Sequence, residues 1–289
     1  LYDSNRMPNK ILLSGKKGLG KSTLAYHLIN YILSKNETNK YDYKNMSIRS
    51  ENRSFQLMQN KSHPNFFLID LIDEKKIIDI AQVREMTNYT NKSTFNNTIK
   101  LILIDNIENL NKNSTNALLK IIEEPNNDTF FLLIHNNERP LLSTLKSRCI
   151  NFKIGLTFDE SIKAASLLLN KNIFDLINHD LISFYNTPGE IVNMINFSND
   201  KNIDLSDYNL KNLLCLLIDN NYYKKNYYIK NLLINFIELY FLKQYKQSKT
   251  KSSLFNLYLN FTNKIKNTDK FNLDEESLFL EFRSKLINE

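Results

Sequence analysis

Tryptophan is absent from this chain, and cysteine and glycine are among its scarce residues, with two and five among 289 positions. Two thiols, Cys149 and Cys215, are too few for a disulfide framework or a four-thiolate zinc site, so no zinc is expected and a reducing, cytoplasmic setting is. No apolar run approaches the roughly 18 residues that span a bilayer, and no signal-peptide pattern is evident, so the expectation is a soluble protein without a membrane partner. The chain opens at Leu1 rather than Met and its first apolar strand is predicted to begin by Ile11, so a short N-terminal piece is expected to precede it. What is present is ample apolar material, 42% of residues, enough for a core and for about two domains at this length. Lys and Arg exceed Asp and Glu by 38 to 31, a net +7 that suits an anionic partner such as nucleic acid or nucleotide without demanding one.

Between residues 11 and 152, short apolar runs alternate with helical patterns. "ILLS" precedes "STLAYHLINYIL", where Leu24, Leu28 and Ile32 are expected on one buried face. "FFLIDL" (66–71), "IKLILID" (99–105) and "TFFLLIH" (129–135) read as buried strands, separated by the helical "IIDIAQVREMTNYT" and by "STNALLKIIEE", which Pro125 ends. Strands spaced by helices of this size predict a parallel sheet covered on both faces, because parallel neighbours need a crossover. Beyond about residue 155 the strand signals stop. Residues 157–197 read as a small helical unit broken near "NTPGE", the polar stretch 196–207 as a linker, and residues 204–289 as longer helices.

The scarcity of glycine makes "GKKGLGKS" informative, because three of the five glycines fall within it. Gly15 and Gly20, followed by Lys21 and Ser22, fit a phosphate-binding loop, and they lie after a strand and before a helix, as that pattern requires. Glycines let the backbone turn its N–H groups onto phosphate oxygens while the next helix offers its positive end. The candidate nucleotide contacts are Gly15, Lys16, Lys17, Gly18, Leu19, Gly20, Lys21, Ser22 and Thr23, with Lys21 reaching the terminal phosphates and the Ser22 hydroxyl taking Mg²⁺. A glycine-rich turn with a solvated lysine is the bland alternative. Asp105, ending "LILID", is the candidate second magnesium partner of the ATP; a loop-capping aspartate is its alternative. Asn106 follows it, and an amide cannot act as a base, so little turnover is expected; Glu108, two positions on, is expected to point elsewhere.

In order along the chain, "MPNKILLSGKKGLGKSTLA", "SHPNFFLI", "IAQVREM", "LILIDNIENLNKNSTNALLKIIEEP" and "LLSTLKSRC" resemble the delta-prime subunits of the bacterial DNA polymerase III clamp loader, within the AAA+ class. "NALLKIIEEP" followed by "SRC" is the most specific part. The resemblance implies an α/β AAA+ P-loop domain with a parallel sheet over residues 1–153, a small helical lid over 154–200 and an all-α collar over 201–289. It also implies a hetero-pentamer with other loader subunits that opens a sliding clamp, touched only indirectly, and sets it on primer-template DNA. Arg148 of the Ser-Arg-Cys motif would act in trans as an arginine finger on the ATP of a neighbouring subunit. A fixed fork of donors with permanent charge suits that task. Asn136, in "IHNNE" after a strand, is the candidate γ-phosphate sensor, with an ordinary polar loop as its alternative.

Three departures stand out. Motor-type members carry glutamate where this chain has Asn106. The lid stretch "NTPGE" holds Gly189 and Glu190 but no sensor arginine. Many relatives hold zinc on four cysteines between loop and acid strand, whereas residues 35–65 contain none and are expected to be a shortened or loosely ordered loop. The expected function is a loader subunit that binds ATP weakly or without turnover; the alternative is an active motor subunit of gamma type. In "YYKKNYYIKNLLINFIELYFLKQYKQSKTK" (222–251), lysines alternate with aromatics, as in single-strand binding surfaces. The placing of Leu232, Ile237 and Leu242 favours instead a core-facing helix whose lysines reach solvent.

Overall fold

A computed structural model of the chain describes residues 6–72, 75–92, 99–126, 128–224, 227–248, 251–271 and 273–288. Leu1, and residues 225–226 and 249–250 of the aromatic and basic stretch, lie outside the described residues. Two compact units make up the chain: Leu1–Leu156 with Thr187–Gly189, and Thr157–Asn186 with Glu190–Glu289.

In the first unit, β1 (Lys10–Ser14), β2 (Phe66–Ile69), β3 (Lys100–Ile104), β4 (Thr129–His135) and β5 (Ile150–Lys153) form one parallel sheet in the order β2-β3-β4-β1-β5. Helices α1 (Lys21–Leu33), α2 (Arg53–Gln59), α3 (Ile80–Thr90), α4 (Lys112–Glu123) and the short α5 (Ser143–Lys146) belong to the same unit. Successive side chains of a strand point to opposite faces. Ile102 and Ile104 therefore join Leu12, Phe131, Val83, Met86, Leu118 and Ile122 in one cluster, while Leu101 and Leu103 join Leu132, Ala25, Ile29, Ile32 and Met58 in another. Burial on both faces explains why "LILI" reads as a continuous apolar run.

Two expectations need correction, and one strand carries no clear signal in the sequence. In α1 the buried face is Ala25, Ile29 and Ile32, and Leu24 is 52% exposed. Ala25 is fully buried in the core cluster although its side chain is small, which hydrophobicity alone does not weigh. Residues 35–65 are not a loose loop. They hold α2, begun by the Asn52 side chain accepting from Phe55 N–H, and Asn30 and Asn39 fix that cap further, Asn30 Nδ2 donating at 2.8 Å and the Asn39 carbonyl accepting at 2.7 Å. β5 was not foreseen as a strand because "INFK" is an exposed edge strand with little apolar signal.

The second unit is helical: α6 (Phe158–Leu169), α8 (Leu210–Asp219), α9 (Tyr227–Gln247), α10 (Lys251–Phe271) and α11 (Glu275–Asn288), with most of α7 (Pro188–Lys201). A reciprocal Thr157/Glu160 capping box starts α6. Ile173, Ile177, Ile191 and Met194 share one apolar cluster with Leu213, Leu217, Leu233, Ile237 and Phe279. The polar 196–207 stretch is not a free linker: α7 continues through Lys201, and Phe197 and Leu205 are buried in that cluster. In α9, Leu232 and Ile237 are buried and Leu242 is half-buried, as the pattern predicts. Its lysines do not simply reach solvent, since Lys230 pairs with Glu275 and Lys243 with Asp180.

Candidate nucleotide site

Gly15 directly follows β1 and threads a narrow gap. Its N–H donates to the His135 carbonyl at 3.1 Å, and a Cβ on it would stand 2.3 Å from the Ile154 carbonyl oxygen. Gly18 and Gly20 take φ values of 84° and 78°, in the left-handed region that favours glycine. Gly20 opens α1 without any side-chain cap and with no acid in the first turn, leaving N–H groups and a positive helix end for an anion. The outward carbonyls of the loop are taken up by residues 187–189 of the same unit. Thr187 Oγ1 donates to Lys17 O at 2.9 Å and Gly189 N–H to Gly18 O at 3.0 Å. Gly189 must lack a side chain, because a Cβ there would be 2.7 Å from Gly18 Cα.

Lys21 is 3% exposed and folds back over the loop, its Nζ donating to Gly15 O at 2.9 Å and Lys16 O at 2.7 Å. Burial draws its ammonium down to about 8, against the pull of Asp105 and Glu108. Ser22 Oγ donates to Asp105 Oδ2 at 2.5 Å, joining the start of α1 to the end of β3. Burial, with the Asp70 charge adding, raises the Asp105 carboxyl above the usual range, and the Ser22 bond opposes that rise. Lys17 pairs with Glu138 at 3.3 Å, Leu19 packs near Gly15, and Thr23 is exposed.

Asn106 adopts a left-handed φ of 54°, which turns the chain sharply after β3. Its carboxamide is engaged at both ends: Nδ2 donates to Asp70 Oδ1 at 2.7 Å and Oδ1 accepts from Asn136 Nδ2 at 2.9 Å. The same turn brings Glu108 inward rather than away. At 8% exposure, its Oε1 accepts the Asn136 N–H at 3.0 Å, while its Oε2 has no hydrogen-bond partner among the described residues. Burial raises the pKa of this carboxyl too. Asp70 is a member of the site that the sequence reading missed, its one available signal being an acid that ends the strand "FFLID"; Glu108 is placed near Asn106 by the sequence, but the expectation that it points elsewhere is overturned.

Lys21, Ser22, Asp105, Asn106 and Asn136 are thus brought together. Arg148 belongs to another neighbourhood: its Nη2 meets Glu123 Oε1 at 2.5 Å and its Nη1 donates to Thr144 O at 2.8 Å.

A parallel sheet, a left-handed glycine loop opening a helix, and a lysine, serine and aspartate set at the strand ends define a P-loop α/β protein of the AAA+ class, carrying a helical C-terminal region. The sequence model of the family described as "DNA polymerase III, delta subunit" matches residues 1–157, more than half of the chain, and the chain belongs to this family. The DNA polymerase III subunit delta' of Pseudomonas aeruginosa is 33% identical over 139 residues, 48% of this chain and 40% of that protein. The DNA polymerase III subunit gamma of Buchnera aphidicola subsp. Schizaphis graminum is 30% identical over 152 residues, 52% of this chain and 39% of that protein. The matches therefore span about two fifths of each relative's length. A solved gamma subunit-related protein of Thermotoga maritima aligns with 100% of this chain and 90% of its own at 15% identity and a TM-score of 0.46.

Proposed function

We propose that this chain is a subunit of the DNA polymerase III clamp loader that holds ATP without appreciable turnover and lends Arg148 to the ATP site of a neighbouring subunit. In this reading the residues 1–153 form the nucleotide domain, 154–200 the lid and 201–289 the collar that joins the other subunits of a hetero-pentamer. The assembly loads a sliding clamp onto primer-template DNA in the cytoplasm. Family membership and the delta' relative support the assembly.

The loop residues fit a triphosphate, since the glycines carry inward-turning backbone and Lys21 needs only to exchange two carbonyls for phosphate oxygens. The oxygens of Ser22 and Asp105, already within 2.5 Å, are the hard donors that magnesium takes. Bound there with ATP, the metal would neutralise phosphate charge. Ser22 and Asp105 would hold it, Lys21 would bind the terminal phosphates, and Asn136 would face the γ-phosphate from the end of β4.

The observation that carries the low turnover is the double engagement of Asn106. Its position suits a group that polarises water, but a carboxamide donating to Asp70 and accepting from Asn136 can take no proton. The second reading, a working motor subunit, is favoured by one feature, the buried Glu108 carboxylate with a free oxygen beside Asn136. ATP turnover by the purified chain separates the two. The proposal expects background rates alone, and loss of the complex's ATPase on Arg148→Ala with nucleotide binding by this chain intact. Lys21→Ala should abolish that binding yet affect loading only mildly. Brisk hydrolysis by the isolated chain would favour the motor.

A further inference from the structure

Arg148 is not free-standing. Its guanidinium bridges the Glu123 carboxylate, 2.5 Å from Nη2, and the Thr144 carbonyl, 2.8 Å from Nη1. The contact joins "NALLKIIEEP" to "SRC", the two stretches that stand out most in the sequence. Packing fixes both ends: Ile122, next to Glu123, and Leu145, whose carbonyl accepts the Arg148 N–H at 3.3 Å, are fully buried in the same cluster, with Cys149 packed alongside.

Electrostatics supplies a reason for the pairing. Glu123 is the last residue of α4, where the helix end is partially negative and a carboxylate is disfavoured. A guanidinium there relieves it. Yet the side chains are 34% and 47% exposed, and ion pairs so open to water are weak and readily exchanged. A phosphate offers the same fork geometry with greater charge. While Arg148 sits on Glu123 its charge is partly compensated and both of its Nη atoms are engaged, so it has less to offer a phosphoryl group than a released guanidinium would.

We infer that Glu123 positions Arg148, holding its guanidinium in reserve at the end of α4 and releasing it when a triphosphate bound by a neighbouring subunit comes within reach. This rests on the trans role proposed above for Arg148. Contact with the phosphate then competes with contact to Glu123, so the acid raises the ATP concentration needed for half-maximal turnover without altering the committed complex.

The test uses the reconstituted loader with clamp and primed DNA, and four forms of this chain: Glu123→Gln, Glu123→Asp, Arg148→Ala, and Glu123→Gln with Arg148→Ala. Glu123→Gln keeps the shape and removes the charge; it should lower KM for ATP about 1.5- to 5-fold, the range an exposed ion pair allows, with kcat unchanged. Glu123→Asp should restore the wild-type KM. With Arg148→Ala in place, Glu123→Gln should no longer change the affinity of the complex for a fluorescent ATP analogue. If Arg148→Ala silences the complex but Glu123→Gln leaves KM unmoved or lowers kcat, the reserve role is wrong while the trans role stands. If Arg148→Ala leaves full activity, both fall.

Discussion

The side-chain carbonyl of Asn106 accepts a hydrogen bond from the Asn136 carboxamide at 2.9 Å, tying the turn after β3 to the turn after β4. The other end of Asn106 donates to Asp70. Glutamate at this position would therefore meet Asp70 as a second carboxylate. Asn106→Glu is expected to leave ATP hydrolysis by the isolated chain at background and to lower unfolding free energy by about 1–3 kcal/mol, the cost of broken, partly buried hydrogen bonds and a like-charge contact. Adding Asp70→Asn should recover most of that loss in a urea titration. A single Asn106→Glu exchange that produced a brisk ATPase would show the network to be incidental.

The two ends of the glycine loop should respond differently to a methyl group. At Gly15 the new carbon would collide with backbone, the Ile154 carbonyl, at 2.3 Å, and neither strand can yield without disturbing the sheet. At Gly20 there is open space and only the left-handed φ of 78° to bear. Gly20→Ala is expected to cost about 1–2 kcal/mol and Gly15→Ala more than that, with chemical denaturation ranking them. The reverse order would contradict the threading of β1 between β4 and β5.

If Lys21 binds the terminal phosphates as proposed, nucleotide affinity is expected to depend on pH. Burial holds its free-site pKa near 8, and a bound triphosphate would keep the ammonium charged. Above pH 8 the free site has lost the proton that the complex needs, so binding must recapture it. Affinity for a fluorescent ATP analogue should be nearly flat from pH 6.5 to 7.5 and then weaken by up to about tenfold per pH unit. A flat profile to pH 9.5 would mean that Lys21 does not contact the phosphates.

The His63 ring is held in its neutral form. Its Nδ1 accepts the Asn65 N–H at 3.1 Å, so Nε2 carries the hydrogen and faces Ser54 Oγ at 3.3 Å, while the Ser54 hydroxyl donates to Glu37 Oε1 at 2.5 Å. Burial depresses the His63 pKa, with Arg53 adding to the effect and Glu37 opposing it. The unfolded chain therefore takes up the proton first. The contribution of His63 to stability is present above about pH 6.5 and is lost as pH falls below it, by no more than about 1.4 kcal/mol per unit. Thermal midpoints between pH 7.5 and 5.5 should fall less steeply in His63→Gln than in the parent chain.

Much of the first unit was legible in one dimension. Three strands buried on both faces announce themselves as unbroken apolar runs, and a glycine cluster in a glycine-poor chain marks the loop between the first strand and helix. Ser22 and Asp105 can each be located in one dimension, since one lies in the first turn of α1 and the other directly follows β3, and the fold brings them within hydrogen-bond distance. The failures share one cause. β5 lies at the sheet edge, where solvent replaces the apolar partners that would have shaped its sequence. Leu24 looked like core because a leucine is apolar wherever it stands, yet which face of a helix is covered depends on what lies beneath it.

Residue order, then, was enough to specify a P-loop α/β domain followed by helices, since strand and helix periods and loop chemistry are local properties. Which polar groups meet at the ends of those strands is not local. Asp70, Asn106 and Asn136 converge because the sheet sets β2, β3 and β4 side by side, and Glu108 turns inward because Asn106 adopts a left-handed conformation. Glu123 and Arg148 meet only because the shared core anchors Ile122 and Leu145. Such contacts depend on strand order and packing, and no spacing along the chain encodes them.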